Sequence, residues 1–207
     1  MTAVYDPPYD SPIEEILAWN IIKYISDQTL LTKQVEFDTL CGTFRVDFVA
    51  HNDRTIGLEC DGQDYHNQGR DEWRDAMLLG SNALDAVYHF PGNGIFYHVE
   101  GCLAALLKWE PQLFSTRGQI NLGILAPDVV KKQVDQDQIM IFVPWPSTFD
   151  NRRRDESDEP QHRSIQGFNV KRTSNTASTA FWREIYAFAV AQGSGDLDSI
   201  IASWRAK

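Results

Sequence analysis

The chain has 207 residues, of which 43% are hydrophobic, 23% charged and six are Trp. That composition excludes wholesale disorder and suffices for one sizeable domain, or one domain with a large extension. The net charge of −10 excludes a uniformly phosphate-binding surface.

No apolar run approaches the roughly 20 residues of a membrane helix, so no membrane partner is expected. Residues 1–10 lack the basic start and apolar core of a secretory signal. Cys41, Cys60 and Cys102 therefore read as free thiols, and a reducing, cytoplasmic location is the expectation.

The first predicted element is a helix entered at Ser11. Pro12 suits its first position, and Glu14 completes a Ser-x-x-Glu capping box. Ile13, Ile16, Leu17 and Ile21 give it an apolar stripe. Extended segments follow at about 33–37, 43–50 and 55–60. A second helix fits 71–79, with Gly80 as a stop. A strand over 86–90 ends in the turn signal Pro91-Gly92-Asn93-Gly94, and a third helix covers about 97–108. This order predicts a mixed α/β core with a central mixed sheet flanked by helices, spanning 11–110. Residues 111–207 read as a C-terminal, mainly helical extension packed on that core. It holds a buried strand at 138–143, a polar loop at about 148–178, and helical spacing at Trp182, Ile185, Tyr186 and Ala189, then at Leu197, Ile200, Ile201 and Trp204.

Charge is unevenly spread. Residues 1–110 carry 7 Lys/Arg against 18 Asp/Glu, and residues 111–207 carry 12 against 11. Excess acid is either a solvated face or carboxylates gathered around a cation.

Alternation sharpens that choice. Phe44, Val46, Phe48 and Ala50 fall on one face of their strand, with Arg45 and Asp47 on the other; Ile56, Leu58 and Cys60 oppose Glu59 and Asp61 in the next. A hairpin pairing His51 with Thr55 leaves Asn52-Asp53-Arg54 as a three-residue loop and matches the apolar faces. It sets Asp47 opposite Glu59, with Cβ atoms about 4.5–5.5 Å apart. Carboxylates so placed either rise in pKa or share a cation, and hard oxygen ligands suit Mg²⁺ or Mn²⁺. The plainer reading is a wet sheet face with Arg45 as a salt-bridge partner.

Gly62-Gln63-Asp64-Tyr65-His66 follows, then Arg70-Asp71-x-x-Arg74-Asp75. With Pro12-x-Glu14, Arg45-x-Asp47-Phe48 and Glu59-x-Asp61-Gly62-x-x-x-His66, this stretch resembles the PD-(D/E)xK, restriction-endonuclease-like nucleases. Within them it resembles the branch of the very-short-patch-repair endonucleases. The resemblance covers about residues 11–108. It implies a restriction-endonuclease-like core in which Asp47, Glu59 and the backbone carbonyl of Cys60 bind the metal. Asp61 and His66 would then stand near the reacting phosphate, and Glu14 would be a remote carboxylate beside the metal. Two departures stand out: Val46 precedes Asp47 where the family has a proline nearby, and Asp61 occupies the family's lysine position.

The expected function is thus metal-dependent endonucleolytic hydrolysis of DNA. The alternative is a non-catalytic nuclease-like binding module, or a nuclease subunit within a larger complex; a homodimer is also left open. Arg152-Arg153-Arg154 sits in a segment, 150–159, that nets −2 and reads as a solvated loop. Residues 160–183 carry Arg163, Lys171, Arg172 and Arg183 with no Asp or Glu. Arg163, Lys171 and Arg172, with Arg74, are therefore the expected nucleic-acid contacts. The plainer readings are a polar linker for 160–183 and an ion pair of Arg74 with Asp71 or Glu72.

Overall fold

The structure is a computed structural model; it describes residues 5–62, 68–133, 137–146, 167–176, 181–193 and 195–206. Six strands form one mixed sheet: β1 Leu30–Thr39, β2 Gly42–His51, β3 Thr55–Asp61, β4 Ala86–Pro91, β5 Met140–Pro144 and β6 Gly167–Ser174, in spatial order β1-β2-β3-β4-β6-β5. Only β3 and β4 run parallel. Helices cover both faces: α1 Pro12–Ile21, α2 Gln68–Gly80, α3 Gly92–Trp109, α4 Thr116–Leu125, α5 Asp128–Lys132, α6 Phe181–Gln192 and α7 Leu197–Arg205. No described helix is long and apolar enough to cross a membrane.

Period-2 alternation divides the sheet between two cores. Ala86, Tyr88 and Phe90 of β4 join Ile56 and Leu58 of β3 against Leu17 of α1 and Leu103 of α3. Val87 points the other way, with Leu78 and Leu79 of α2. Farther out on that second side, Trp73 of α2 packs with Phe188 of α6 and Ile200 of α7.

The β2–β3 hairpin has the expected register from His51↔Thr55 to Phe48↔Leu58, but the pairing ends there, short of the expected pair of Asp47 with Glu59. The expected single apolar face of β2 is corrected. Phe48 and Ala50 belong to the α1/α3 core, whereas Phe44 and Val46 pack toward α2. β1 turns over with it. Between the pairs Lys33↔Phe48 and Val35↔Val46, Gln34 and Asp47 break the ladder, and Gln34 takes φ 51°, a left-handed conformation that permits the change of side.

Two boundaries move as well. The turn signal Pro91-Gly92-Asn93-Gly94 is the start of α3, because Pro91 serves as its N-cap. Residues 167–174, expected inside the polar loop of 148–178, form β6, which pairs with β4 on one side and β5 on the other. The sheet therefore runs across the division at 110/111: β4 comes from one segment, and β5 and β6 from the other.

A buried ionic network holds that junction. Glu110, fully buried at the end of α3, pairs with Arg54 of the hairpin turn and accepts from the Tyr88 hydroxyl at 2.7 Å. Asp85 accepts from Thr55 N at 2.8 Å and from Asn175 Nδ2 at 2.7 Å, so the starts of β3 and β4 are tied to the end of β6. At the far edge the side-chain amide of Gln133 imitates a strand. Its Oε1 accepts from Phe142 N at 3.0 Å and its Nε2 donates to Phe142 O at 2.9 Å.

Breaking this network by Glu110→Ala leaves Arg54 without its buried carboxylate. We expect a loss of about 3–5 kcal/mol in unfolding free energy, read by urea denaturation.

His98 interrupts α3 with φ −155° and ψ 56°, and its half-buried ring stands edge-on to Phe168. Burial lowers its pKa. The unfolded chain then binds more protons in the window below the ordinary histidine value of about 6.5, so stability falls as pH drops through that window. His98→Phe should remove that part of the acid-side loss, seen as a flatter Tm against pH than wild type between about pH 5 and 7.

Candidate functional site

Beyond Phe48↔Leu58 the hairpin opens, and side chains replace ladder bonds. Asp47 Oδ2 accepts from Cys60 N at 2.8 Å, which fixes the carboxylate against β3. Glu59 follows on β3, buried to 6% exposure, and Asp61 lies two residues on, half-buried. Glu14 approaches from α1. It performs its capping role, taking the Ser11 hydroxyl on Oε1 at 2.7 Å, and its Oε2 accepts from Gln34 Nε2 at 2.6 Å. Cap and cluster thus use different oxygens of one carboxylate. The sequence-predicted residues Glu14, Asp47, Glu59, Cys60 and Asp61 are brought to one end of the sheet; His66 and Arg163 lie outside the described residues.

The cluster is compensated by one cation that the sequence reading placed elsewhere. Arg74 of α2 pairs with Glu59 and donates from the same Nη2 to Arg45 O at 2.9 Å. It is therefore neither an open phosphate contact nor a partner of Asp71 or Glu72: its position on α2 aims it at β3. Arg45 pairs with Asp10, at 2.8 Å, not with the site carboxylates. Arg172 is also corrected as a surface contact. It is 4% exposed, its guanidinium lies 4.8 Å from the centroid of Trp109, and its Nε donates to Gln138 O. Its place opposite Tyr88 in the β4–β6 ladder turns it toward α3. Lys171 takes the other face, opposite His89, and is exposed.

His89 and Asp75 were missed. His89 Nδ1 lies 3.2 Å from Asp61 Oδ1, and its Nε2 lies 3.0 Å from Asp75 Oδ2, which also accepts from Thr173 Oγ1 at 2.6 Å. The signal for His89 was present: it alternates with Tyr88 and Phe90 and so shares the face of Glu59, its neighbour across the parallel ladder.

Burial dominates the electrostatics. It raises the Asp47 carboxyl, opposed by the Cys60 amide and Arg74 and reinforced by Glu14 and Asp61. It pushes Glu59 up to about 8, against the pull of Arg74. At His89 burial works against the charge, but the carboxylates of Asp75 and Asp61 prevail and raise it well above the ordinary value. The Cys60 thiol is raised by burial on the apolar side, which removes it as a nucleophile.

Among the described residues the open side-chain donors of the cluster are carboxylate oxygens, the chemistry of Mg²⁺ and Mn²⁺, because both His89 nitrogens are engaged by Asp61 and Asp75. Gln34 Oε1 is buried with no hydrogen-bond partner among the described residues, while the amide nitrogen of the same side chain is committed to Glu14. An unpaired buried oxygen on a side chain bonded to the Glu14 carboxylate fits a cation. Among the described residues no three His, Cys, Asp or Glu form a metal cage. Mg²⁺ does not require one: it binds through one or two carboxylates, with water and substrate oxygens filling its shell. A cleft of about 580 Å³ adjoins the cluster, running from Asp61 past His89 and Lys171 to Trp182.

No family model, curated protein or solved structure matches the chain.

Asp75 is the anchor of the His89 side of the site. Asp75→Ala leaves the buried Nε2 of His89 and the Thr173 hydroxyl unpaired, and should cost about 1–3 kcal/mol in denaturant unfolding. The His89 ring resonances should shift at the same time, because the ring loses its Nε2 partner.

Proposed function

We propose that the chain is a divalent-metal-dependent endonuclease that hydrolyses phosphodiester bonds of DNA, with a core similar to that of the PD-(D/E)xK nucleases. The observation that carries this reading is the opened hairpin. Asp47, Glu59 and Asp61 gather there, on the elements where the resemblance puts them, with Glu14 tied to the same end of the sheet by Gln34.

Asp47 and Glu59 would hold Mg²⁺ or Mn²⁺, with the Cys60 carbonyl as the further ligand that the resemblance implies. The ion supplies charge for the developing phosphorane and an acidified water. The remaining work falls to the chain itself. Cys60 N–H orients Asp47, and Gln34 ties Glu14 to the same place. His89, held by Asp75, fixes Asp61, which stands where the family has lysine. Asp61 can accept a proton from an attacking water or orient it; Lys171, exposed on the cleft, offers the cation that position 61 does not.

A second reading is a non-catalytic nuclease-like module, alone or as a subunit of a larger complex. The direct Arg74–Glu59 pair favours it, because a guanidinium already neutralises one metal ligand.

Plasmid and single-stranded DNA incubated with Mn²⁺, Mg²⁺ or EDTA separate the two. The nuclease reading expects cleavage with the ions and none with EDTA. Asp47→Asn and Glu59→Gln should lose cleavage yet keep or gain DNA affinity in gel shifts, since each removes negative charge. Intact protein that cuts neither substrate with either ion would leave the binding-module reading in possession.

A further inference from the structure

We infer that Arg74 is a phosphate-binding residue held in reserve by Glu59, and that a divalent ion releases it, so that ion and phosphodiester bind cooperatively. This deepens the metal-dependent reading and rests on it.

The argument begins with where Arg74 sits. Its side chain is 18% exposed and that of Glu59 8%, so the pair is largely shielded from water and salt. A single nitrogen, Nη2, makes both described contacts, to Glu59 and to Arg45 O. Among the described residues Nε and Nη1 make no hydrogen bond, which leaves most of the planar fork unused. Such a fork matches phosphate oxygens in pairs.

One carboxylate carries one negative charge, so an ion bound to Glu59 competes with Arg74 for it even where the two use different oxygens. An ion bound to Glu59 and Asp47 takes the charge on which Arg74 depends and repels the guanidinium at short range. The released guanidinium is partly buried and must find another anion. The phosphodiester that the ion itself attracts is the anion at hand. Each ligand then prepares the site for the other. The ion frees the fork, and the phosphate, by engaging the fork, removes the competitor for Glu59. Linkage makes the two effects equal in size. Without an ion, Glu59 holds Arg74 back and the acidic cluster repels phosphate.

The test measures coupling, not cleavage. Ca²⁺ replaces Mg²⁺ to hold the substrate intact. Its affinity is measured by calorimetry with and without a saturating oligonucleotide, in duplex and single-stranded arms. Oligonucleotide affinity is measured by fluorescence anisotropy in Ca²⁺ and in EDTA. Wild type should show each ligand tightening the other by the same factor, roughly 5- to 150-fold. In Arg74→Met, Ca²⁺ alone should bind more tightly than to wild type, oligonucleotide more weakly, and the coupling factor should fall toward one. Arg74→Lys keeps the charge without the fork and should show reduced coupling; should Arg74→Met fail to fold, this variant decides. Wild type that binds Ca²⁺ and DNA independently, or variants with undiminished coupling, would overturn this inference and leave the nuclease reading standing. Wild type that takes up no Ca²⁺, Mg²⁺ or Mn²⁺ would overturn both.

Discussion

Everything at the proposed site depends on one change of side. β1 and β2 begin on one face of the sheet and finish on the other, turning over at Gln34 and Asp47. A hairpin that twists in this way serves two cores at once, but it cannot keep a continuous ladder through the crossing. One backbone group there, the Cys60 amide, finds its partner in the Asp47 carboxylate, and the Gln34 side chain bonds that of Glu14. Polar side chains are therefore concentrated where neither core can claim them, close to the interior yet outside its apolar packing.

Burying carboxylates at that crossing is costly unless charge is returned to them. Two internal cations do so from different directions. Arg74 comes down from α2 onto Glu59, and His89 rises from β4 between Asp61 and Asp75. The pairing with Arg74 does not bring Glu59 back into the usual carboxylate range, because the lost hydration outweighs the neighbouring charge. Added positive charge therefore has something to gain beside Glu59.

Much of this was legible in the residues. Ser11, Pro12 and Glu14 gave the entry to α1, and matched apolar faces gave the pairing of His51 with Thr55, because both depend on neighbours in sequence. The change of side was not legible. Counting by twos assigns Val46 and Phe48 to the same face, and only a backbone that turns over between them separates the two. Arg74 and Arg172 were misplaced for a related reason. Their neighbours in sequence are charged or polar and suggest a surface, whereas the strands opposite them, β3 and β4, fix where they point. β6 was hidden by composition, since Asn169, Lys171 and Thr173 face away from the α3 core and dilute the apolar signal of Phe168 and Val170.

The two outer strands share a property with consequences for how this protein meets its neighbours. β5 has its free hydrogen-bonding groups at Phe142 taken by Gln133, and β1 is kinked at Gln34. Each margin of the sheet is thus interrupted where an incoming strand would need several consecutive open positions to add on. Growth of the sheet from chain to chain, the usual route by which exposed β margins produce fibrous aggregates, is obstructed at both ends. Self-association would have to proceed through helices and loops, where shape and charge choose the partner, not through main-chain hydrogen bonds that any extended peptide can offer.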